Sequence, residues 1–213
     1  MIFSCDDPKQ REGGVQAAVK AVRAGELILL PTDTIYGIGA DPFNTGAVES
    51  LRSVKGMAPS IPLPILVGNW NAFEAVVQGV DAPVRTLIEA FWPGPLTLVT
   101  RQTETLSWNI GGSASIVQVR MPDHAVALDV LNESGPIAVS GATRTRLGPI
   151  ATVAEAEEQF GELVSVYLDD GRLGHSVSTI VDCTGSVMRV RRKGSISIDE
   201  LQQVVPSLVE DLP

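Results

Sequence analysis

Apolar positions along the chain follow two alternating periods. In "VQAAVKAVRAG" (Val15 to Gly25), Val15, Val19 and Val22 fall on one helical face, and the stretch ends at a glycine able to cap it. "ELILLPT" is a short apolar run stopped by Pro31, the pattern of a buried strand. Helical spacing returns in "NTGAVESLRSVK", with Val48, Leu51 and Val54 in phase and Asn44 as N-cap. "LPILVG" predicts a strand that Pro64 places at an edge or gives an irregular start. Helices are expected around Trp70 to Val77 and Pro83 to Phe91, then a turn at "WPGP" and a strand at "LTLVTR".

The second half continues in the same way. "SIVQVRMP" reads as a strand and "DHAVALDVLNESG" as a helix capped by Asp123, with Gly135 beyond its end. "PIAVSG" is a buried strand and "TVAEAEEQFG" an acidic helix. "VSVYLDDG", "VSTIVDCTG" and "MRVRRKG" are strands parted by glycine turns. "SIDELQQVV" carries a capping box, Ser197 with Glu200. Strands and helices alternate early while strands cluster late, which predicts an α/β fold with a mixed sheet and helices on its faces. No repeat or low-complexity linker interrupts residues 1–213, so one domain is expected.

Composition narrows the function. A formal net charge of −9 argues against broad nucleic-acid binding, which rests on neutralising phosphates. Basic residues are nevertheless local: Arg144 with Arg146, and "RVRRK" from Arg189 to Lys193. Cys5 and Cys183 are too few and too far apart for a disulfide framework or a zinc site, and His124 and His175 stand apart from any ligand spacing. No metal site is expected within the protein. No signal segment or membrane-length apolar run is evident, so a soluble, cytoplasmic protein is expected.

Five stretches could carry chemistry. "LLPTDTIYGIGAD" puts hydroxyls and small residues where a strand gives way to a loop, the usual ligand position in open α/β sheets. Its glycines equally suit a tight turn of positive φ, and no P-loop lysine follows them. Lys55 ends a helix, where a cation also complements the dipole. Arg120 in "VRMPDH" stands at a strand end and could clamp a carboxylate. Ser176, Ser178 and Thr179 offer hydroxyls at a strand start. In "RVRRK", strict alternation would turn Arg191 away from Arg189 and Arg192. Together these residues reach an anion or nucleotide site made of loops and strand ends.

In this order, the pieces resemble the YrdC/TsaC family of threonylcarbamoyl-AMP synthases. The matching motifs are Pro31 to Asp41, "FWPGPLTLV" (Phe91 to Val99), "VRMPDH", "STIVDCTG" and the arginines before Gly194, and the similarity spans roughly residues 14 to 205. The resemblance implies a twisted open sheet with a large, partly basic cleft. It implies a nucleotidyltransferase that makes threonylcarbamoyl-AMP and pyrophosphate from L-threonine, bicarbonate and ATP, with Mg²⁺. The product would pass to the threonylcarbamoyl-transfer proteins of a tRNA modification pathway, and double-stranded RNA is a further implied partner. By family position, Thr34 and Ser178 would bind threonine and Arg120 would meet its carboxylate. Lys55, as catalytic residue, and Arg192 would face the nucleotide, and Tyr36 would wall the pocket. The extra C-terminal domain of longer members is not matched.

The nucleotide side departs from the family pattern. After Lys55 the pattern's arginine and later polar residue are Met57 and Ile61. Where the pattern has Pro-Ser-Ala-Asn, the chain has Ser140, Gly141, Ala142 and Thr143, and a later serine becomes Gly148. Thr143 thus takes a nucleotide-binding position, and Arg144 and Arg146 beside it are candidates to supply the missing charge. Two readings result: a synthase with an altered ATP side, or a weakened paralogue that binds a small ligand or double-stranded RNA.

Overall fold

The computed structural model describes residues 1–113, 115–143 and 150–211. The chain opens with β1 (Ile2–Ser4) and α1 (Pro8–Arg23), followed by β2 (Ile28–Leu30), β3 (Gly37–Ala40) and α2 (Thr45–Lys55). Next come β4 (Ile65–Leu66), α3 (Trp70–Val76), α4 (Ala82–Phe91), β5 (Leu96–Arg101) and β6 (Ile116–Arg120). Then follow α5 (Ala125–Ser134), β7 (Ile137–Gly141), α6 (Val153–Phe160), β8 (Val166–Asp169) and β9 (Thr179–Asp182). The last elements are β10 (Arg189–Arg192), α7 (Ile198–Val204) and β11 (Val209–Glu210).

Among the described residues the strands form one 11-stranded mixed sheet, in the order β1-β8-β2-β3-β7-β4-β6-β5-β9-β10-β11. Two cores lie on its opposite faces. Leu29 and Ile38 join the core under α2, α3, α4 and α6, whereas Ile28 and Leu30 join the core under α1 and α5. A strand buried on both faces must be apolar throughout, which is why "ILL" shows no alternation.

Several expectations are met in detail. Asn44 Oδ1 accepts from the Ala47 N–H at the start of α2, and Ser197 and Glu200 form the capping box of α7. Others need correction. The first helix starts at Pro8, because Asp7 accepts from the Lys9 and Gln10 N–H groups and proline fits the first helical position. The helix α5 is preceded by His124 rather than capped by Asp123, whose N–H turns to Asp33 Oδ1 at 3.1 Å. The strand β4 lies between β7 and β6, not at an edge; Pro64 keeps its place because its carbonyl accepts from the Val139 N–H at 2.9 Å.

The loop expected over "YGIGA" is largely a central strand. Neither Gly37 nor Gly39 has positive φ. Each is small because a neighbouring side chain crosses it: an added Cβ would lie 2.6 Å from Val139 Cγ2 at Gly37 and 2.8 Å from Ile137 Cγ2 at Gly39. In β10 a bulge between Val190 and Arg192 breaks the expected alternation. Arg189 and Arg191 both reach Asp211, while Arg192 turns to Ser178.

Candidate active site

Alternation along the central strands selects what faces the helix-free part of the sheet. Leu98, Val117, Val119 and Val181 point into the first core. Their neighbours Thr97, Gln118, Arg120 and Ile180 point the other way, into a cavity of about 300 Å³. The loop after β2 supplies Thr32 and Thr34, Ser178 stands just before β9, and the β10 bulge aims Arg192 at the same space. Thr34, Arg120, Ser178 and Arg192, picked out in the sequence, therefore converge.

Arg120 is held from three sides. Its Nε donates to the Gly94 carbonyl at 2.9 Å, and its Nη1 to Thr34 Oγ1 at 2.9 Å. Its Nη2 forms an ion pair with Asp33. Burial pulls the guanidinium below its ordinary range and Asp33 opposes that pull. Five N–H groups less three leave two for a ligand. Arg192 donates through Nε to the Ser178 carbonyl at 3.0 Å and through Nη2 to Ser178 Oγ at 2.8 Å. It, too, is lowered by burial, and no described carboxylate pairs with it. The cavity thus presents one arginine balanced by a carboxylate and one carrying its charge alone.

The hydroxyls are equally ordered. Thr32 Oγ1 donates to the Ile35 carbonyl at 2.6 Å and lies 3.0 Å from Thr34 Oγ1. Thr97 Oγ1 and Ser178 Oγ are 2.8 Å apart. Thr179, also considered from the sequence, is structural: its hydroxyl donates to the Ile196 carbonyl and accepts from the Ile196 N–H. Ser176 is exposed.

The other candidates lie elsewhere. Lys55 is buried at the end of α2, followed by Gly56 in the left-handed region, and is not among the residues lining the cavity. Thr143 is also outside the lining; its Oγ1 accepts from the Ile150 N–H at 3.3 Å. Arg144, Arg146 and Gly148 lie outside the described residues. Tyr36 is wholly buried and is not among the residues lining this cavity: its hydroxyl donates to the Gly171 carbonyl at 2.7 Å and accepts from the Asp170 N–H at 3.0 Å. Burial drives the thiols of Cys5 and Cys183 up to about 12, with nearby aspartates adding to the shift, so neither is a nucleophile at neutral pH.

On the altered side, Met57 and Ser140 meet: the Ser140 hydroxyl donates to Met57 Sδ at 3.6 Å. Behind them is a residue the sequence did not flag. The Arg52 guanidinium is buried and donates to the carbonyls of Ala58 at 2.9 Å, Ile61 at 2.8 Å and Ile110 at 2.6 Å. Thr32, Asp33 and Thr97 were also missed. Thr32 and Asp33 lay inside a quoted motif, and Thr97 was detectable as a polar position between Leu96 and Leu98 in β5.

The model of the family described as "Telomere recombination", which groups Sua5, YciO and YrdC, matches residues 20–194. The chain belongs to the Sua5/YciO/YrdC family. A family member of Mycobacterium tuberculosis, named "Putative threonylcarbamoyl-AMP synthase", is 44% identical over 204 residues, covering 95% of this chain and 94% of that one. The Bacillus subtilis protein named threonylcarbamoyl-AMP synthase is 31% identical over 206 residues, 95% of this chain but 58% of its own length. The structure of P. abyssi Sua5 complexed with L-threonine matches with a TM-score of 0.90 at 27% identity, over 99% of this chain and 62% of that one. E. coli YciO, at 20% identity and a TM-score of 0.83, shares the fold. Among the described residues no helix is long and apolar enough to cross a membrane.

Proposed function

We propose that this Sua5/YciO/YrdC member is an L-threonylcarbamoyladenylate synthase, a nucleotidyltransferase acting as a single cytoplasmic domain. L-threonine, bicarbonate and ATP give threonylcarbamoyl-AMP, pyrophosphate and water. The observation that carries the reading is the convergence of Thr34, Arg120, Ser178 and Arg192 on one cavity, in a fold shared with a Sua5 that binds L-threonine.

The threonine amine attacks the carbon of bicarbonate-derived CO₂, and the resulting carbamate oxygen attacks the α-phosphorus of ATP, displacing pyrophosphate. Anions must be brought together and held in line, so the site must supply cations and oriented donors. Arg120, braced by Asp33, takes the threonine carboxylate with its two remaining N–H groups. Arg192 carries the uncompensated charge toward the developing carbamate and the phosphates. Lys55, buried at the end of α2 two residues before Met57, is the residue that the family resemblance assigns to the phosphates. Mg²⁺ is expected from the chemistry, but no described group of three or more His, Cys, Asp or Glu could hold it and no carboxylate lines the cavity. It would be carried by the ATP phosphates and water, and no step is assigned to residues binding it. The threonylcarbamoyl-transfer proteins are the expected recipients of the product. RNA binding is the lesser reading, given the charge of −9.

The test is to incubate the pure protein with ATP, L-threonine, bicarbonate and Mg²⁺ and to seek threonylcarbamoyl-AMP by mass. Product that disappears in Lys55→Ala supports the reading. Absence of product from the parent, with L-threonine still bound, would leave only the weakened paralogue.

A further inference from the structure

Among the described residues, both charged side chains that line the cavity are arginines, Arg120 from β6 and Arg192 from β10. The loop after β2, the strands β3, β4, β5, β7 and β9 and the residues leading into them bring only hydroxyls, aliphatic groups and backbone. Gln118 on β6 adds a neutral amide. Asp33 touches one of these arginines but is not in the lining; its Oδ1 is shared between Arg120 Nη2 and the Asp123 N–H. No acidic side chain belongs to the residues outside the described stretches. The cavity is therefore faced by two cations and by no group able to take a proton at neutral pH.

We infer that the cavity takes L-threonine, ahead of ATP, with its amine uncharged, releasing one proton to solvent on binding, so that the nucleophile needs no general base. On the reading above, L-threonine is the substrate and Arg120 takes its carboxylate, and the inference rests on that. Arg120 and Asp33 cancel, and the substrate carboxylate is matched by Arg192. A neutral amine then leaves the assembly uncharged, whereas an ammonium leaves it one charge too positive. That extra charge would sit among Thr34, Thr97 and Ser178, exposed by 3%, 3% and 6%, with hydroxyls and an amide to accept from it but no carboxylate to balance it. Arg192 gives two N–H groups to Ser178 and keeps three, so it offers an ammonium no acceptor and repels it. A cation stripped of water beside another cation gives up its proton. The bond that breaks is an ammonium N–H, and the freed lone pair is the one that attacks the CO₂ carbon. The second amine proton, lost as the carbamate forms, leaves with the hydroxide of bicarbonate as water.

The test is calorimetric binding of L-threonine in bicarbonate-free solution, in two buffers of different ionisation heat, neither of them phosphate. The heat should change with the buffer as expected for about one proton released per site, and affinity should rise about tenfold per pH unit around neutrality. With 3-hydroxybutanoate, which lacks the amine, the heat should not depend on the buffer; release there would place the proton on the protein and overturn the inference. Arg192→Gln should take the zwitterion and release almost no proton, and Arg192→Lys should keep the release, whatever either change does to affinity. A role for Arg192 confined to holding Ser178 would leave the proton count unmoved, and that outcome also overturns the inference. The parent titration carries the test even where a variant folds poorly. L-threonine bound by the parent without buffer dependence overturns the inference and leaves the functional reading standing. A parent that binds no L-threonine overturns both.

Discussion

Two walls of the same cavity are built on opposite principles. On the wall formed by the loop after β2 and the end of β6, each buried polar atom discussed is paired, and Arg120 alone joins Asp33, Thr34 and Gly94. On the wall formed by Pro64 and the end of β7, Ser140 and Gly141 face the cavity, and Met57, at the position where the resembled pattern would have an arginine, meets Ser140 only through a weak hydroxyl-to-sulfur bond. The first wall tolerates little change, because a buried donor or acceptor left single costs its full desolvation. The second presents the side-chain-poor Pro64 and Gly141, which carry no side-chain hydrogen bond to lose.

The comparison breaks most sharply at Arg120. Arg120→Met strands Asp33 and should cost about 3–5 kcal/mol of stability, as when one partner of a buried ion pair is removed. Urea unfolding measures it, and the double change Arg120→Met, Asp33→Asn should recover much of the loss. A cost below about 1 kcal/mol would mean that the wall is not the interlocked unit described. Arg192→Ala comes next. It removes two hydrogen bonds from Ser178 and the uncompensated charge, so L-threonine affinity should fall about tenfold to a hundredfold by calorimetry while melting moves little.

How much of this was legible in the sequence follows from range. Asn44, Ser197 and Glu200 act on backbone within three residues, so their caps could be read directly. The convergence of Thr34, Arg120 and Ser178 could be quoted only from motif resemblance, because their elements lie far apart along the chain. The β10 bulge could not be read: it depends on how Arg192 pairs with Ile180 across the strands. Nor could the role of Gly37, whose smallness answers to Val139 on another strand. Arg52 escaped notice because an arginine near a helix end ordinarily looks like a dipole partner, and its three carbonyls belong to later loops.

Smaller effects sharpen the contrast from the permissive side. Met57→Arg supplies the cation that the resembled pattern would place there and, combined with Gly141→Ser, should raise ATP affinity about tenfold without loss of stability. The serine Cβ would meet only the flexible Ile35 Cδ1 at 2.9 Å. Weaker ATP binding in that variant would show that the present wall is already tuned. The smallest change is expected away from both walls, at Asp182. Burial raises its carboxyl, but hydrogen bonds from Thr184 and the Arg191 guanidinium outweigh burial, and the net shift is downward. A depressed carboxylate stabilises the fold above its unfolded value of about 3.9, and that contribution is lost as pH falls through the folded value. Asp182→Asn should therefore lower stability modestly at neutral pH, converge with the parent in acid, and flatten the acid limb of a melting profile below about pH 4.

The buried Arg52 also determines how this region comes apart. Its carbonyl accepts from the Met57 N–H at 2.9 Å while its guanidinium grips Ala58, Ile61 and Ile110; Leu63 and Gly112 donate back across the same seam to Ile110 and Ser60. A proline-rich loop of this length would ordinarily exchange its amide hydrogens within moments. Here the Met57, Leu63 and Gly112 amides should share the slow exchange of the last turn of α2, opening as one cooperative unit rather than fraying singly.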